Sequence, residues 1–153
     1  MRKYSKAKNT TLSPENLPKM TIKHIKIEEA YSDNVFKDDR GFLIPLVDED
    51  KFKVKNVIYI FSKAGAIRGN HYHKKESYWE YCAKGKFIYF EKDIKNPDSE
   101  LMSAIVNEGE MVYSPAGIAH AIVTLEDTTI LCIASRSRKE KSYLADLVKV
   151  KII

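Results

Sequence analysis

The sequence predicts an all-β domain, a sandwich or closed barrel of short strands, and three features carry that expectation. Segments rich in β-branched and aromatic residues recur about every 8–12 residues, the spacing of antiparallel sheet folds. Turn-forming residues separate them: Asp38-Asp39-Arg40-Gly41, Lys84-Gly85-Lys86, Asn96-Pro97-Asp98, Pro115-Ala116-Gly117 and Glu126-Asp127. The length, 153 residues, suits one domain with a substantial core.

Taken in order, residues 1–19 are polar and basic, with Ser13-Pro14 and Leu17-Pro18 as breakers, and are expected to form a flexible extension ahead of a domain over 20–153. Met20 to Ile27 alternates as a strand, with His24 on its surface face. A turn at Asp38 to Gly41 leads into a short apolar run, Phe42 to Val47. Asn56 to Phe61 reads as a β-branched and aromatic strand, and Gly65 and Gly69 frame the entry to the next. Tyr78 to Ala83, Lys84-Gly85-Lys86 and Phe87 to Phe90 read as strand, tight turn, strand. Further strands are expected at Ser103 to Val106, Met111 to Tyr113, Ala119 to Leu125 and Thr128 to Ala134, with a hairpin turn at Glu126-Asp127 between the last two. Tyr143 to Leu147 suits a helical turn and Val148 to Ile153 a closing edge strand. A closed barrel or jelly roll lets so many short strands avoid open edges, and its mouth is a natural ligand cavity.

Composition narrows the function classes. No apolar run approaches the roughly 20 residues of a membrane helix, and no signal-peptide core stands at the N-terminus, so a cytoplasmic protein without a membrane partner is expected. Two cysteines, Cys82 and Cys132, do not make a disulfide framework. The net charge of +5 is interleaved with Asp and Glu along the chain, which argues against nucleic acid and suits a small anionic ligand such as a nucleotide diphosphate.

Two stretches carry the chemistry. Gly65 to Gly85 holds Arg68, then His71 and His73 two residues apart, then Lys74, Lys75 and an aromatic cluster. On a strand, residues two apart share a face, so both histidines aim into one space. The parity that turns them inward also turns in Tyr78, Glu80 and Cys82, leaving Trp79 and Tyr81 outside for sheet packing or a subunit interface. An inward Glu80 is costly without a partner; it is either a paired structural acid or a site residue. Gly109 to Thr124 places His120 just beyond the Pro115–Gly117 turn, as either a catalytic group or a hydrogen-bonded core residue.

Together these stretches resemble the paired motifs of the cupin superfamily: G, five residues, H-x-H and a closing G, then G, five residues, P-x-G, two residues, H. The resemblance implies a cupin double-stranded β-helix, a jelly-roll barrel. It departs from the pattern at Tyr78, where the family's metal-binding Glu stands, and at Thr124, where the second motif has Asn. No metal or other cofactor is therefore expected, although His71, His73 and His120 would be the ligands of a metal-binding cupin.

D-x-R-G at Asp38 to Gly41, R-G-N-H-Y-H-K-K from Arg68, and the tail A-S-R-S-R-K-E-K-S-Y-L look like sugar-nucleotide-modifying cupins over about Ile27 to Tyr143. The dTDP-4-dehydrorhamnose 3,5-epimerases lack the second histidine and carry a Tyr acid near the position of Ile133. The dTDP-4-keto-6-deoxyhexose 3,4-ketoisomerases resemble this chain more, with both histidines and a tail of the form A-S, four residues, E, two residues, Y, matched by Ala134-Ser135, Glu140 and Tyr143. The resemblance implies a nucleotide-sugar isomerase in which His71 and His73 transfer protons. Arg68, Arg40, Tyr59, Tyr78, Glu80, His120 and Lys74 are then candidate substrate-binding residues, with Arg40 able to reach a neighbouring subunit's site. A non-catalytic sugar-binding cupin is the remaining alternative. A homodimer is expected from the apolar strand around Ile22 to Ile27 and from outward Trp79 and Tyr81.

Overall fold

The computed structural model describes residues 22–26, 36–48 and 51–153; the expected extension over residues 1–19 lies outside these. Strands β1 (Lys23–Lys26), β4 (Asn56–Ser62), β6 (Tyr78–Lys84), β9 (Glu110–Ser114) and β11 (Thr128–Ala134) form one antiparallel sheet, ordered β1-β9-β6-β11-β4. Strands β5 (Ile67–His73), β7 (Lys86–Lys92), β8 (Met102–Asn107), β10 (Ala119–Thr124) and β12 (Leu147–Lys149) form the second, ordered β12-β5-β10-β7-β8. A small hairpin, β2 (Phe36–Asp38) with β3 (Gly41–Leu43), stands apart from both, and one helical turn, α1 (Tyr143–Asp146), precedes β12.

The chain changes sheet at nearly every turn. Only β7 and β8 are consecutive strands paired within one of the large sheets. The turns at Gly85 and at Glu126-Asp127, expected as hairpins, instead carry the chain across the sandwich. At Gly85 the backbone is left-handed, and a Cβ would meet the Asp127 carbonyl oxygen at 2.7 Å, so the two crossing turns pack against each other only because that residue is glycine. This alternation is what makes a jelly roll from local strand signals that a meander would share.

Between the sheets lies a core of Cys82, Phe87, Tyr89, Val106, Val112, Ile122 and Ile130. A second cluster covers the outside of the first sheet: Phe52, Trp79, Met111, Tyr113 and Ile133, with Ile44, Leu46 and Val47 of the segment after β3 packed on it. Of the two expectations for an outward Trp79, the structure has sheet packing and not a subunit interface: it faces away from the interior and its own chain covers it completely. Among the described residues, exposed apolar side chains include Phe36, Phe42 and Leu43 of the β2–β3 hairpin and Val57, Tyr59 and Phe61 of the edge strand β4.

Candidate active site

The histidine strand owes its geometry to a bulge. In β5, Gly69 pairs with Ala121 and His71 with His120, leaving Asn70 unmatched on a left-handed backbone (φ 53°). Gly69 is left-handed as well, and a Cβ there would lie 2.7 Å from the His120 carbonyl oxygen. Only glycine lets β5 approach β10 this closely. The extra residue resets the alternation, so Arg68 and His71, three apart, line the same cavity. Asn70 is itself pinned, its side-chain oxygen accepting from the backbone N–H groups of Ile152 and Ile153.

The cavity encloses about 200 Å³ between the sheets. Ile58, Ile60, Ile122, Ile130 and Cys132 supply apolar wall, and the polar lining is Arg68, His71, His73, Glu76, Tyr78, Glu80, His120, Arg138 and Tyr143. Arg68 and Arg138 are exposed, whereas His73, Glu76, Tyr78, Glu80 and His120 are buried.

The three cavity histidines have distinct partners. His71 donates Nδ1–H to the Gly69 carbonyl (3.2 Å), which leaves the Nε2 lone pair free. Burial foremost, then the nearby His73, hold its pKa down to about 4. His73 directs Nδ1 at two buried carboxylates, Glu76 Oε2 at 3.1 Å and Asp146 Oδ2 at 3.2 Å. Burial lowers its pKa, and the Asp146 hydrogen bond works against that, so a proton arriving at His73 Nε2 is stabilised from behind. His120 donates Nδ1–H toward the Ile118 carbonyl (3.4 Å) and accepts the Tyr78 hydroxyl proton at Nε2 (2.6 Å). Its lone pair is engaged, and burial holds its pKa down to about 3. The His71 ring lies 5.0 Å from His73 and 4.8 Å from His120, centroid to centroid, so simultaneous protonation is disfavoured.

Asp146 is the hub behind His73. Its carboxylate accepts the backbone N–H groups of Lys75 (2.9 Å) and Glu76 (3.2 Å), and Arg136 Nη1 pairs with it at 3.0 Å. Arg136 in turn bonds Glu140. One helical turn thereby locks the β5–β6 loop, residues 74–77, to the C-terminal segment. Burial foremost, and then the charge of Asp146, raise the pKa of Glu76, while the neighbouring Tyr143 hydroxyl opposes the rise.

Among the described residues, the one set of three able to converge on a metal ion is His73, Glu76 and Asp146, not the three histidines. That set does not fit a metal. Asp146 already accepts three donors besides His73, one of them an arginine, and His120, the third ligand expected of a metal-binding cupin, gives its Nε2 to Tyr78.

Of the residues expected from sequence, the structure brings together His71, His73, Arg68, Tyr78, Glu80 and His120. It does not bring in the other three. Tyr59 points outward and is 68% exposed, because the alternation of β4 turns Ile58 and Ile60 to the cavity instead. Lys74 lies on the surface, donating Nζ–H to the Ala145 carbonyl. Arg40 is exposed on the β2–β3 hairpin, paired with Asp38. Sequence reading left out Glu76, Asp146, Arg136 and Arg138. Asp146 is the one acid of the short turn Tyr143–Asp146, and nothing in the local sequence marks it as buried.

Two facing antiparallel sheets, with an H-x-H strand and a second histidine motif meeting between them, define a cupin-like domain. Residues 20–152 match the family model described as FdtA: WxcM-like, C-terminal, and the chain belongs to that family. No curated protein sequence gives a significant match. Among solved structures, the chain is similar to a 3,4-ketoisomerase from Helicobacter canadensis, with a TM-score of 0.67 and 21% identity, over 85% of this chain and 91% of that one. A mutant of the 3,4-ketoisomerase QdtA from Thermoanaerobacterium thermosaccharolyticum, in complex with TDP-4-keto-6-deoxyglucose, gives 0.65 and 22% over 84% and 86%. The dTDP-4-dehydrorhamnose 3,5-epimerase from Sulfolobus tokodaii gives 0.61 and 25% over 71% and 70%. No helix among the described residues is long and apolar enough to cross a membrane.

Proposed function

We propose that the chain is a sugar-nucleotide isomerase of the 3,4-ketoisomerase type, acting on a dTDP-4-keto-6-deoxyhexose or a similar nucleotide sugar. The observation that carries this reading is the pair of histidines on one strand. Each has Nδ1 engaged by a fixed partner, which orients Nε2 as the reactive nitrogen, and both line one cavity. Moving a carbonyl from C4 to C3 requires removing the C3 proton and delivering one at C4, through an enediol. His71 is the base at C3, since its neutral Nε2 is ready to accept a proton. His73 is the acid at C4, since the carboxylates of Glu76 and Asp146 support its protonated form. Tyr78 and His120, bonded to each other, form a fixed wall against which the sugar is held, and the exposed arginines Arg68 and Arg138 meet the diphosphate.

What argues for a ketoisomerase over a 3,5-epimerase is the second inward histidine. In addition, Ile133, near the position of the epimerase acid, belongs to the outer cluster around Trp79 rather than to the cavity. The direct test is incubation with dTDP-4-keto-6-deoxyglucose and identification of the product by NMR: a 3-keto sugar is expected, and inversion at C3 or C5 without carbonyl migration would replace this reading with the epimerase one.

The homodimer belongs to the same proposal on different grounds from those the sequence offered. The β2–β3 hairpin has every residue exposed, with three large apolar side chains, and a two-stranded ribbon this short is not stable alone. The open β4 edge, with Val57, Tyr59 and Phe61, is the matching apolar face. Light scattering at micromolar concentration should give twice the chain mass; a monomeric mass would remove this part of the proposal.

A further inference from the structure

Glu80 is the cavity group that the acid–base pair leaves unexplained. It sits inward on β6 between Tyr78 and Cys82, opposite Cys132 on β11, and is 4% exposed. Its Oε2 has no hydrogen-bond partner. The neighbouring hydroxyls are committed elsewhere: Tyr78 to His120 Nε2 at 2.6 Å, and Tyr89 to Ser114 Oγ at 3.0 Å. The titratable groups that face it are Tyr78 on its own strand, Tyr89 on β7 and Cys132 on β11, and burial pushes up the pKa of all three, so each is neutral near pH 7. The cavity's arginines, Arg68 and Arg138, are both exposed. A carboxyl this deep with no cation against it holds its proton, and its pKa is raised to about 8 by burial alone. A neutral acid whose oxygen meets nothing in the protein, but lines the same cavity as His71 and His73, is poised to meet a ligand.

We propose that Glu80 is a substrate-contacting acid, which in its neutral form hydrogen-bonds two adjacent sugar oxygens and carries the hydroxyl proton between them. This rests on the ketoisomerase reading. In that reaction the histidines account for the protons on carbon, but two on oxygen must also move. O4 gains a proton as its C=O becomes C–OH, and O3 loses one as its C–OH becomes C=O. A carboxylic acid gives its O–H proton to O4 and takes the O3 proton on its other oxygen. It ends as the same acid, with no net charge moved and no further reactant consumed. A carboxylic acid is suited to this because donor and acceptor sit on one carbon, in reach of a vicinal pair.

The test uses the full chain in deuterated water with dTDP-4-keto-6-deoxyglucose, following C3–H exchange and formation of the 3-keto product separately by NMR. Glu80→Gln keeps shape and can still hydrogen-bond O4, but cannot relay the proton. The expected result is C3–H exchange within about tenfold of wild type, with product formation lowered by on the order of 10²-fold. Glu80→Leu, of similar bulk and with no donor, should lower both. Infrared difference spectra supply a readout independent of turnover. A protonated-carboxyl band absent from both variants should shift when the sugar nucleotide binds and stay unmoved with dTDP alone. If Glu80→Gln forms product at the wild-type rate, or loses exchange and product formation equally, or the band ignores the sugar, the proposal is overturned while the isomerase reading stands. If wild type itself neither exchanges nor converts the sugar, both fall together.

Discussion

Strand β6 has two faces, and they are built to different ends. Outward, Trp79 packs with Phe52, Met111, Tyr113 and Ile133 in a buried apolar cluster. Inward, Tyr78 and Glu80 line open space, one with its hydroxyl given to His120 and the other with an unpartnered carboxyl oxygen. The outward face stabilises; the inward face retains polar groups that an apolar core would be better without. Adjacent residues on one strand therefore answer differently to substitution, and that difference is open to measurement.

The largest effect on stability should come from the outward face. Trp79→Ala removes a fully buried indole and should cost about 3–5 kcal/mol in denaturant unfolding. A loss under about 1 kcal/mol would mean that Ile44, Leu46, Val47 and Phe52 do not cover the sheet as described.

Asp146→Asn comes next. It keeps volume but weakens the anchor for Lys75 N–H, Glu76 N–H and Arg136 and removes the charge behind His73. Stability should fall by about 1–3 kcal/mol. Turnover should fall by tenfold or more, with the His73-dependent limb of the pH–rate profile moved to lower pH, because the protonated ring loses its support. An unmoved profile would make Asp146 a structural clasp alone.

On the inward face the sign reverses. Glu80→Leu replaces an unpartnered buried acid with an apolar side chain of similar bulk and should stabilise the fold by about 1–3 kcal/mol while abolishing turnover. Destabilisation would show that Glu80 is a structural acid after all.

The smallest effect is the pH dependence. Glu80 has its folded pKa raised from 4.5 to about 8, so the stability it allows is fully present below pH 4.5 and declines as pH rises through 8. Glu91, raised to about 7 by burial, acts in the same direction. His71 and His120 are depressed from 6.5 to about 4 and about 3, so their contribution is present above pH 6.5 and lost as pH falls through those values. Melting temperature should therefore be highest in mildly acidic solution, and the alkaline slope should be shallower in Glu80→Leu. An identical slope in the variant would place the Glu80 proton elsewhere.

The two faces also show what a sequence discloses. Strand β11, Thr128–Ala134, is readable to the residue, because β-branched alternation between turn signals is a local property. So is the inward parity of His71, His73, Tyr78 and Glu80. Sheet partners are not local. The signals at Gly85 and Glu126-Asp127 mark turns correctly but do not say that the chain there crosses to the opposite sheet. Trp79 reads as an outward aromatic, and only the tertiary packing of Ile44, Leu46, Val47 and Phe52 makes it core. Tyr59 fails for a simpler reason: its neighbours Ile58 and Ile60 take the inward positions of β4. Asp146 lies 73 residues from the histidine it supports, and no spacing rule links the two. The Gly69–Asn70 bulge is half legible, since a glycine inside a strand signals close backbone approach but not which side chains it realigns.

The central claim is that His71 and His73 move the protons on carbon. It is tested most directly by wild type, His71→Asn and His73→Asn, each incubated with dTDP-4-keto-6-deoxyglucose in deuterated water and followed by NMR. The account predicts that wild type forms a 3-keto product carrying solvent deuterium. His71→Asn should lose both exchange at C3 and product, His73→Asn should still exchange C3–H without completing the isomerisation, and each should lose about 10²–10⁴ in product formation with its fold intact. Turnover of both variants at the wild-type rate would contradict the account and leave a sugar-binding domain in its place.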